Sequence, residues 1–246
     1  MRALRSAAVL AAALSTLLVA PGSASAERGA VATPVVGDCH TLTVDEGAKF
    51  SDPDPTVPCT NRHTSITIEV VQLSNPDWSA ADALWKKLSK PCYLGLIDAL
   101  GGNTKKIQLS AYTFYWFGPT KAERDAGASW VRCDAVVLGG GKFVPLPAGT
   151  DISLGSLPLG NKLAECRAGK RADYQVLSCS RRHAYRATLA LNYPGDTYPG
   201  KKAALHWALR HCRAHLDGAF YYESVPSKFS WNLGFRYAVC LPETRS

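Results

Sequence analysis

The sequence predicts an α+β fold of two similar disulfide-stabilised modules, each a small, mostly antiparallel sheet packed on one main helix. Eight cysteines in 246 residues divide into two sets of four with matching spacing, which indicates an internal duplication. Each set encloses β-branched and aromatic segments bounded by turn residues, as in strands. Each set also encloses one segment whose apolar residues recur at helical spacing. Strands arranged around one main helix in mixed order are typical of α+β proteins.

Residues 1–26 have the pattern of a cleavable signal peptide. Arg2 and Arg5 form a positive start, an apolar run covers residues 7–20, and Ala24-Ser25-Ala26 provides a small-x-small cleavage pattern. The apolar run is shorter than the ~20 residues of a membrane span. We therefore expect export with cleavage after Ala26, a loose tail over residues 27–35, and no transmembrane segment after cleavage.

The composition indicates a packed exported protein with an uneven charge. Hydrophobic residues make up 46% of the chain, enough to bury a core, and cysteines in an oxidising compartment favour disulfides. Residues 158–246 carry 14 Lys and Arg against 6 Asp and Glu, whereas residues 27–157 carry 12 against 14. A basic half favours anionic wall polymers as partners, although a surface tuned for solubility gives the same counts.

The two cysteine sets share their spacing over most of their length. The second and third cysteines lie 33 residues apart in both sets, and each second cysteine opens a Cys-x-x-x-His sequence. A proline, a glycine and an aromatic residue lie 14, six and three positions before each fourth cysteine. The matched pairs include Cys59 and Cys179, His63 and His183, Cys92 and Cys212, Pro119 and Pro226, Gly127 and Gly234, Trp130 and Tyr237, and Cys133 and Cys240. These matches predict two copies of one module.

The duplication sets the expected domain boundaries and elements. Module 1 covers residues 36–147, and module 2, a diverged repeat, covers residues 163–246. The Gly-, Ser- and Pro-containing stretch 148–162 between them suits a linker. Module 1 is expected to have strands at 67–73, 108–117 and 129–138 and a helix at 79–89. Module 2 is expected to have strands at 185–192, 219–224 and 235–241 and a helix at 201–215.

The same duplication narrows the disulfide pairing. Eight cysteines allow 105 pairings, but two modules with one shared pattern leave three. The third cysteine of each module lies late on the apolar stripe of the expected helix, and the fourth lies within an expected strand. A bond between them would join helix to sheet at a Cα separation that disulfides allow. The expected disulfides are Cys39–Cys59, Cys92–Cys133, Cys166–Cys179 and Cys212–Cys240.

Several stretches of module 1 together resemble a known family. They are Val36-Gly37-Asp38-Cys39, Val57-Pro58-Cys59 with His63, Pro119-Thr120 followed by Gly127, Trp130, Val131, Arg132 and Cys133, and then Ser153-Leu154-Gly155-Ser156-Leu157. This combination resembles the septum formation domain family of actinobacterial exported proteins. The resemblance implies a setting in the cell envelope, linked to septum formation or cell-wall organisation. Module 2 keeps the cysteine frame but has Ala164-Glu165 where module 1 has Gly37-Asp38.

The histidines that recur in both modules, His63 and His183, are candidate binding residues. Structural zinc sites cluster their thiolates, often as Cys-x2–4-Cys pairs, and this sequence has no such pair. We therefore predict no metal and no cofactor, and expect both histidines to hydrogen-bond a nearby backbone carbonyl or strand end. His211 and His215 have a helical spacing that can chelate a metal but that also fits an exposed helix face.

Basic side chains supply the other candidate binding residues. Arg181, Arg182 and Arg186 lie close together in the positive half, and Lys121 and Lys228 occupy matched positions near aromatic segments. The aromatic residues of these segments suit a buried core. Along a strand, however, every second side chain points outward, and outward aromatic side chains would suit a surface that binds sugar rings or a protein partner.

The sequence lacks the Gly-x-Ser-x-Gly and His-Glu-x-x-His signatures of common hydrolases, and the disulfide assignment leaves no free thiol as a nucleophile. We therefore expect a secreted, non-enzymatic protein, associated with the cell envelope, that binds an anionic cell-wall polymer or an envelope protein and no nucleic acid. Two alternatives stay open: an envelope enzyme acting on carbohydrate or peptide, and a secreted inhibitor that presents a rigid loop.

Overall fold

The fold is given by a computed structural model that describes residues 32–169, 175–216 and 221–244. The predicted signal peptide and the first part of the predicted tail lie outside these ranges. All of the described residues belong to one compact unit. Among the described residues, no helix has both the length and the apolar character that crossing a membrane requires.

The described residues contain six helices and eleven strands. The helices are α1 (Val44–Gly47), α2 (Ala81–Ala99), α3 (Thr104–Gln108), α4 (Lys121–Asp125), α5 (Lys201–His215) and α6 (Lys228–Asn232). The strands are β1 (Cys39–His40), β2 (Ser65–Gln72), β3 (Tyr112–Phe117), β4 (Trp130–Leu138), β5 (Phe143–Val144), β6 (Glu165–Arg167), β7 (Val176–Ser178), β8 (Tyr185–Arg186), β9 (Leu189–Asn192), β10 (Tyr221–Ser224) and β11 (Tyr237–Pro242).

The first half forms an antiparallel sheet in the order β1-β2-β4-β3, with β5 paired to the end of β4. Strand β4 is central and buried along almost all of its length, so it lacks the alternation of a strand with one wet face. Helix α2 packs on this sheet through an apolar stripe that includes Leu88 and Leu96. Gly95 allows the close approach, because a Cβ there would lie 2.9 Å from the carbonyl oxygen of Ile68.

Helix α2 continues to Ala99, well beyond the helix predicted at residues 79–89. Its apolar stripe runs on through Cys92 and Leu96, both buried. Pro91 lies inside the helix, where it removes one backbone hydrogen bond at a cost of about 3 kcal/mol. Burial of Leu96 is worth about 1.5–3 kcal/mol, and the Cys92–Cys133 disulfide attaches this part of the helix to the sheet. Both offset that cost.

The second half contains two small antiparallel sheets, in the orders β7-β6-β8 and β10-β11-β9. Helix α5 packs on β10 and β11 and buries Ala204, Ala208 and Cys212. The strand predicted at residues 185–192 divides into β8 and β9, which belong to different sheets. The described residues therefore confirm a mixed helix and strand fold with antiparallel sheets.

The predicted disulfide pairing is confirmed. The four bonds are Cys39–Cys59, Cys92–Cys133, Cys166–Cys179 and Cys212–Cys240, with Cα separations of 5.0 to 5.6 Å. One bond joins α2 to β4 and another joins α5 to β11, as expected from the helical stripe. The four cysteines that form these two helix-to-strand bonds have no exposed surface.

Strand register around the cysteines is the same in the two halves. In each half, the first cysteine pairs with two residues on neighbouring strands. One lies seven positions after the second cysteine, and the other lies two positions before it. These pairs are Cys39 with Ile66 and Val57, and Cys166 with Arg186 and Leu177. In each half, the fourth cysteine also pairs with two residues. One lies ten positions after the second cysteine, and the other lies three positions before the matched proline. These pairs are Cys133 with Glu69 and Trp116, and Cys240 with Leu189 and Glu223.

The segment predicted as a linker is packed into a core that both halves share. Ile152, Leu154 and Leu159 are at most 7% exposed and belong to the same apolar cluster as residues of both halves. Backbone hydrogen bonds also cross between the halves, from Ala111 N–H to the Leu163 carbonyl and from Glu165 N–H to the Leu109 carbonyl. Gly, Ser and Pro residues gave this stretch the composition of a loose connector, but its apolar residues hold it in place.

Candidate functional site

Both recurring histidines hydrogen-bond the backbone carbonyl two residues earlier in the chain. The Nδ1 atom of His63 lies 2.9 Å from the Asn61 oxygen, and that of His183 lies 2.6 Å from the Arg181 oxygen. This confirms the expectation that each histidine bonds a nearby carbonyl. His63 has no exposed surface, so its imidazole contributes no binding surface, whereas His183 is partly exposed.

One group in the described residues has the geometry to hold a metal ion: Cys166, Cys179 and His183, whose donor atoms lie within 4.8 Å of one another. The two sulfurs are joined in a disulfide, and zinc requires thiolates. The oxidised chain therefore does not fit a metal here. The second histidine pair is also used locally, since Nδ1 of His215 lies 2.8 Å from the carbonyl oxygen of His211.

The predicted basic binding residues differ in how they are used. Arg186 holds the buried linker, because its guanidinium donates to Asn161 Oδ1 at 2.6 Å and to the Leu159 carbonyl at 2.8 Å. Arg181 and Arg182 are exposed and fit the predicted surface role better. The structure thus separates one structural arginine from two surface arginines.

The two matched lysines each begin a short helix. Lys121 starts α4 and pairs with Asp125 at 2.6 Å on the surface, and Lys228 starts α6 and is exposed. Capping boxes at Thr120 and Ser227 fix the starts of these helices. Lys121 therefore has an anionic neighbour that neutralises much of its charge.

Helix α5 presents a basic face that the sequence analysis did not single out. Its exposed side chains include Lys201, Lys202, His206, Arg210, Arg213 and His215, and the helix contains no acidic residue. Lys202, His206 and Arg210 follow one another at intervals of four, which places them on one stripe. None of the four Lys and Arg side chains forms an ion pair with a described residue. The interval of four was available in the sequence and could have revealed this face.

A buried charged network lies in the first half, on β2 and β4. Arg132 is 5% exposed and pairs with Asp52 and with Asp134, whose Oδ2 is 3.0 Å from the Arg132 Nε. Thr67 donates to Asp134 Oδ1 at 2.8 Å, and the Nε2 of His40 lies 3.3 Å from Thr67 Oγ1. The guanidinium also lies over the Phe117 ring, 5.0 Å from its centroid. Because these groups are buried, the charge of Arg132 is paired within the protein, with Asp52 and Asp134. The Nδ1 of His40 has no hydrogen-bond partner among the described residues.

Burial dominates the ionisation of this network. It raises the pKa of Asp134 from 3.8 to about 6, although Arg132 and the Thr67 hydrogen bond act in the opposite direction. Burial and the nearby Arg132 charge lower the pKa of His40 from 6.5 to about 4. At neutral pH, Asp134 is therefore ionised and His40 is neutral.

The second half replaces this network with apolar residues. Counted from the fourth cysteine, Arg132 and Asp134 correspond to Val239 and Leu241, which are 1% and 0% exposed. Counted from the second cysteine, Thr67 corresponds to Ala187. The same sheet position is thus built with charges in one half and with aliphatic side chains in the other.

Comparisons of the chain with family models, with curated proteins and with solved structures find no match. The resemblance of residues 36–157 to the septum formation domain family therefore stays a prediction from the sequence.

The opposite pKa shifts predict a specific dependence of stability on pH. Between about pH 4 and 6, Asp134 keeps a proton in the folded chain that the unfolded chain releases, so its contribution to stability falls as pH rises. His40 is neutral when folded but protonated when unfolded over a similar range, so its contribution rises with pH. The two contributions oppose each other in the wild type.

In the His40→Asn variant, we expect the effect of Asp134 on the pH dependence of stability to become measurable. Its free energy of unfolding should fall from pH 4 to pH 6 relative to that of the wild type, because the opposing proton on His40 has been removed. Urea unfolding at pH 4, 5 and 6 measures the difference. Parallel profiles for the two proteins would contradict the assignment of these two groups.

Proposed function

We propose that this protein is an exported, non-enzymatic binding protein of the cell envelope, related to septum formation, and that α5 attaches it to an anionic cell-wall polymer. The observation that carries the proposal is the basic face of α5, whose lysines and arginines have no anionic partner among the described residues. The signal-peptide pattern and the four disulfides support an extracellular setting. The resemblance of residues 36–157 supports the link to septum formation.

We also propose that the two halves are copies of one module that have diverged in role. The shared strand register, the shared disulfide pattern and the matched capping boxes support common descent. The first half keeps a charged network, whereas the second half has aliphatic residues at the matching strand positions and carries the basic helix. The excess of positive charge in residues 158–246 agrees with this division.

A polymer that carries a phosphate or carboxylate on each repeat suits a stripe of cations on one helix face. Each exposed Lys or Arg near such a surface contributes up to about 1 kcal/mol at moderate ionic strength, and salt screens the interaction over about 8–10 Å. Several such contacts along one helix give useful affinity without a deep pocket. The polymer needs no defined conformation, because the attraction is electrostatic.

Neutralising α5 is expected to release the protein from isolated cell walls. The variant Lys202→Gln, Arg210→Gln, Arg213→Gln should lose about tenfold or more in retention at low salt, because three cationic contacts are removed. The matched control is Lys86→Gln, Lys87→Gln, Lys90→Gln, which removes the same charge from exposed positions of α2. A pull-down of the mature protein on purified walls, at low and physiological salt, measures both.

Three outcomes of this pull-down bear on the proposal. Equal losses for the two variants would show that net charge, and not α5, determines retention. Retention of the wild type that does not depend on salt would contradict an electrostatic attachment. Loss of binding after protease treatment of the walls would identify an envelope protein as the partner, which would contradict the polymer.

A further inference from the structure

The basic face of α5 has a histidine at its centre. Lys202 and Arg210 lie one turn before and one turn after His206, and Arg213 lies two turns after it. All four side chains are exposed, and this spacing places them on one side of the helix. A proton on His206 therefore adds a fourth cation in the middle of the three that are proposed to hold the polymer.

The side of α5 that carries His206 faces away from the rest of the second half. Ala204 and Ala208, two positions before and two positions after it, are buried, and residues two apart lie about 200° apart around the axis of a helix. Cys212, which bonds β11, lies on the same buried side. His206 forms no hydrogen bond or ion pair with a described residue, so its imidazole is available to a ligand.

The elements packed on α5 contact its buried side. Strands β10 and β11 pack there, and so do the end of β9 and α6, through an apolar cluster that includes Ala204 and Ala208. Their charged and titratable residues are Tyr221, Tyr222 and Glu223 of β10, Tyr237 of β11, Tyr193 and Asp196 after β9, Lys228 of α6, and Arg236 before β11. Asp196 and Arg236 pair with each other. Among the described residues, the charged neighbours of His206 are therefore the cations of its own helix.

The other two histidines of α5 differ from His206 in position and in contacts. His211 stacks on Trp207, with the ring centroids 4.0 Å apart. The Nδ1 of His215 lies 2.8 Å from the carbonyl oxygen of His211. His215 follows His206 by nine residues, about two and a half turns, which places it on the opposite side of the helix. It is exposed and therefore serves as a matched control for His206.

A histidine at this position makes the charge of the basic face depend on pH. Histidine is the side chain whose charge changes between about pH 5 and pH 8, whereas Lys and Arg stay positive over that range and carboxylates stay negative. A polyanion bound along the face favours the protonated ring. Binding of the polymer and binding of the proton therefore strengthen each other, as linkage requires.

We propose that His206 makes the attachment of this protein to an anionic wall polymer depend on pH, with tighter attachment in an acidic environment. The inference rests on the proposed attachment through α5 and concerns the regulation of that same face. The protonated imidazole contacts a phosphate or carboxylate of the polymer together with Lys202, Arg210 and Arg213. One additional cationic contact corresponds to about a three- to fivefold increase in affinity.

The test compares retention of the mature protein on purified cell walls at pH 5.5 and pH 7.5, at one low ionic strength. His206→Gln keeps the position neutral and His206→Lys keeps it positive at both pH values. We expect the wild type to be retained about three- to fivefold more at pH 5.5. The Gln variant should be retained weakly and the Lys variant strongly at both values, whereas His215→Gln should keep the pH dependence of the wild type.

A second measurement follows the imidazole itself. The ring signals of His206 and His215 are recorded by NMR between pH 5 and pH 8 in protein labelled with ¹⁵N-histidine, with and without inorganic polyphosphate as a soluble polyanion. We expect polyphosphate to move the titration of His206 to higher pH, because the bound anion favours the charged ring. The titration of His215, on the opposite side of α5, should change little.

Equal retention of the wild type at the two pH values would overturn the inference and leave attachment through α5 intact. A pH dependence that survives in full in His206→Gln would also overturn it, because another group would then bind the proton. Failure of the attachment itself gives a different result. In that case His206→Lys and the variant Lys202→Gln, Arg210→Gln, Arg213→Gln would both be retained as the wild type is, at both pH values.

Discussion

The Arg132→Val variant is expected to lose about 3–5 kcal/mol of unfolding free energy, because a buried ion pair loses one partner. Asp134 would then have no exposed surface and no cation. Its Thr67 hydrogen bond compensates only in part. Urea unfolding at pH 7, where Asp134 is ionised, measures the loss. A loss below about 1 kcal/mol, the range of exposed pairs, would show that water reaches the site.

The second half of the chain supplies the matched control for this variant. Val239 and Leu241 occupy the corresponding positions, so Arg132→Val combined with Asp134→Leu installs the apolar pair that the same strand already uses elsewhere. The double variant should be more stable than Arg132→Val alone, because only one of the two buried carboxylates that lose their cation, Asp52, is left. A double variant that is less stable than the single one would mean that the two sites differ in more than charge.

Removing the Cys92–Cys133 bond is expected to destabilise the protein more than removing the Cys39–Cys59 bond. The first closes a longer loop, with a sequence separation of 41 against 20, and chain entropy alone gives about 4 against about 3 kcal/mol. Cys92 and Cys133 are also fully buried, so alanine leaves a void there. Cys59 is only partly buried, which makes the second pair a suitable comparison.

Unfolding of the two double alanine variants, Cys92→Ala with Cys133→Ala and Cys39→Ala with Cys59→Ala, decides the order. Equal losses would indicate that loop length and burial do not determine the contribution of these bonds. A larger loss for the Cys39–Cys59 pair would show that the loop leading into β2 matters more than the attachment of α2 to the sheet.

The sequence predicted the disulfides because their determinants are local. The repeated spacing reduced the pairings, and the helical stripe placed the third cysteine against a strand. The charged network had no comparable signal, since its partners are far apart in sequence: Thr67 and Asp134 are separated by 67 residues, and Asp52 and Arg132 by 80. Strand β4 is buried on both faces, so alternation could not show which of its residues point into the network.

The predicted binding residues also differ in how far the sequence alone could predict their contacts. The local bonds of His63 and His183 follow from their immediate neighbours and were predicted. The structural use of Arg186 depends on the linker 25 residues earlier, a contact that no periodicity reveals. The basic stripe of α5 was visible in the spacing, but the sequence reasoning used that helix only for its apolar side and its histidines.

The buried linker makes the two halves dependent on each other. Expressed alone, either half would have to expose the backbone donors and acceptors that join residues 109–111 to residues 163–165, together with the apolar surface under Ile152 and Leu159. An open strand edge beside an apolar patch recruits other chains and promotes aggregation. We therefore expect neither half to fold by itself, so that the two proposed copies of one module would have to be synthesised and oxidised as a single chain.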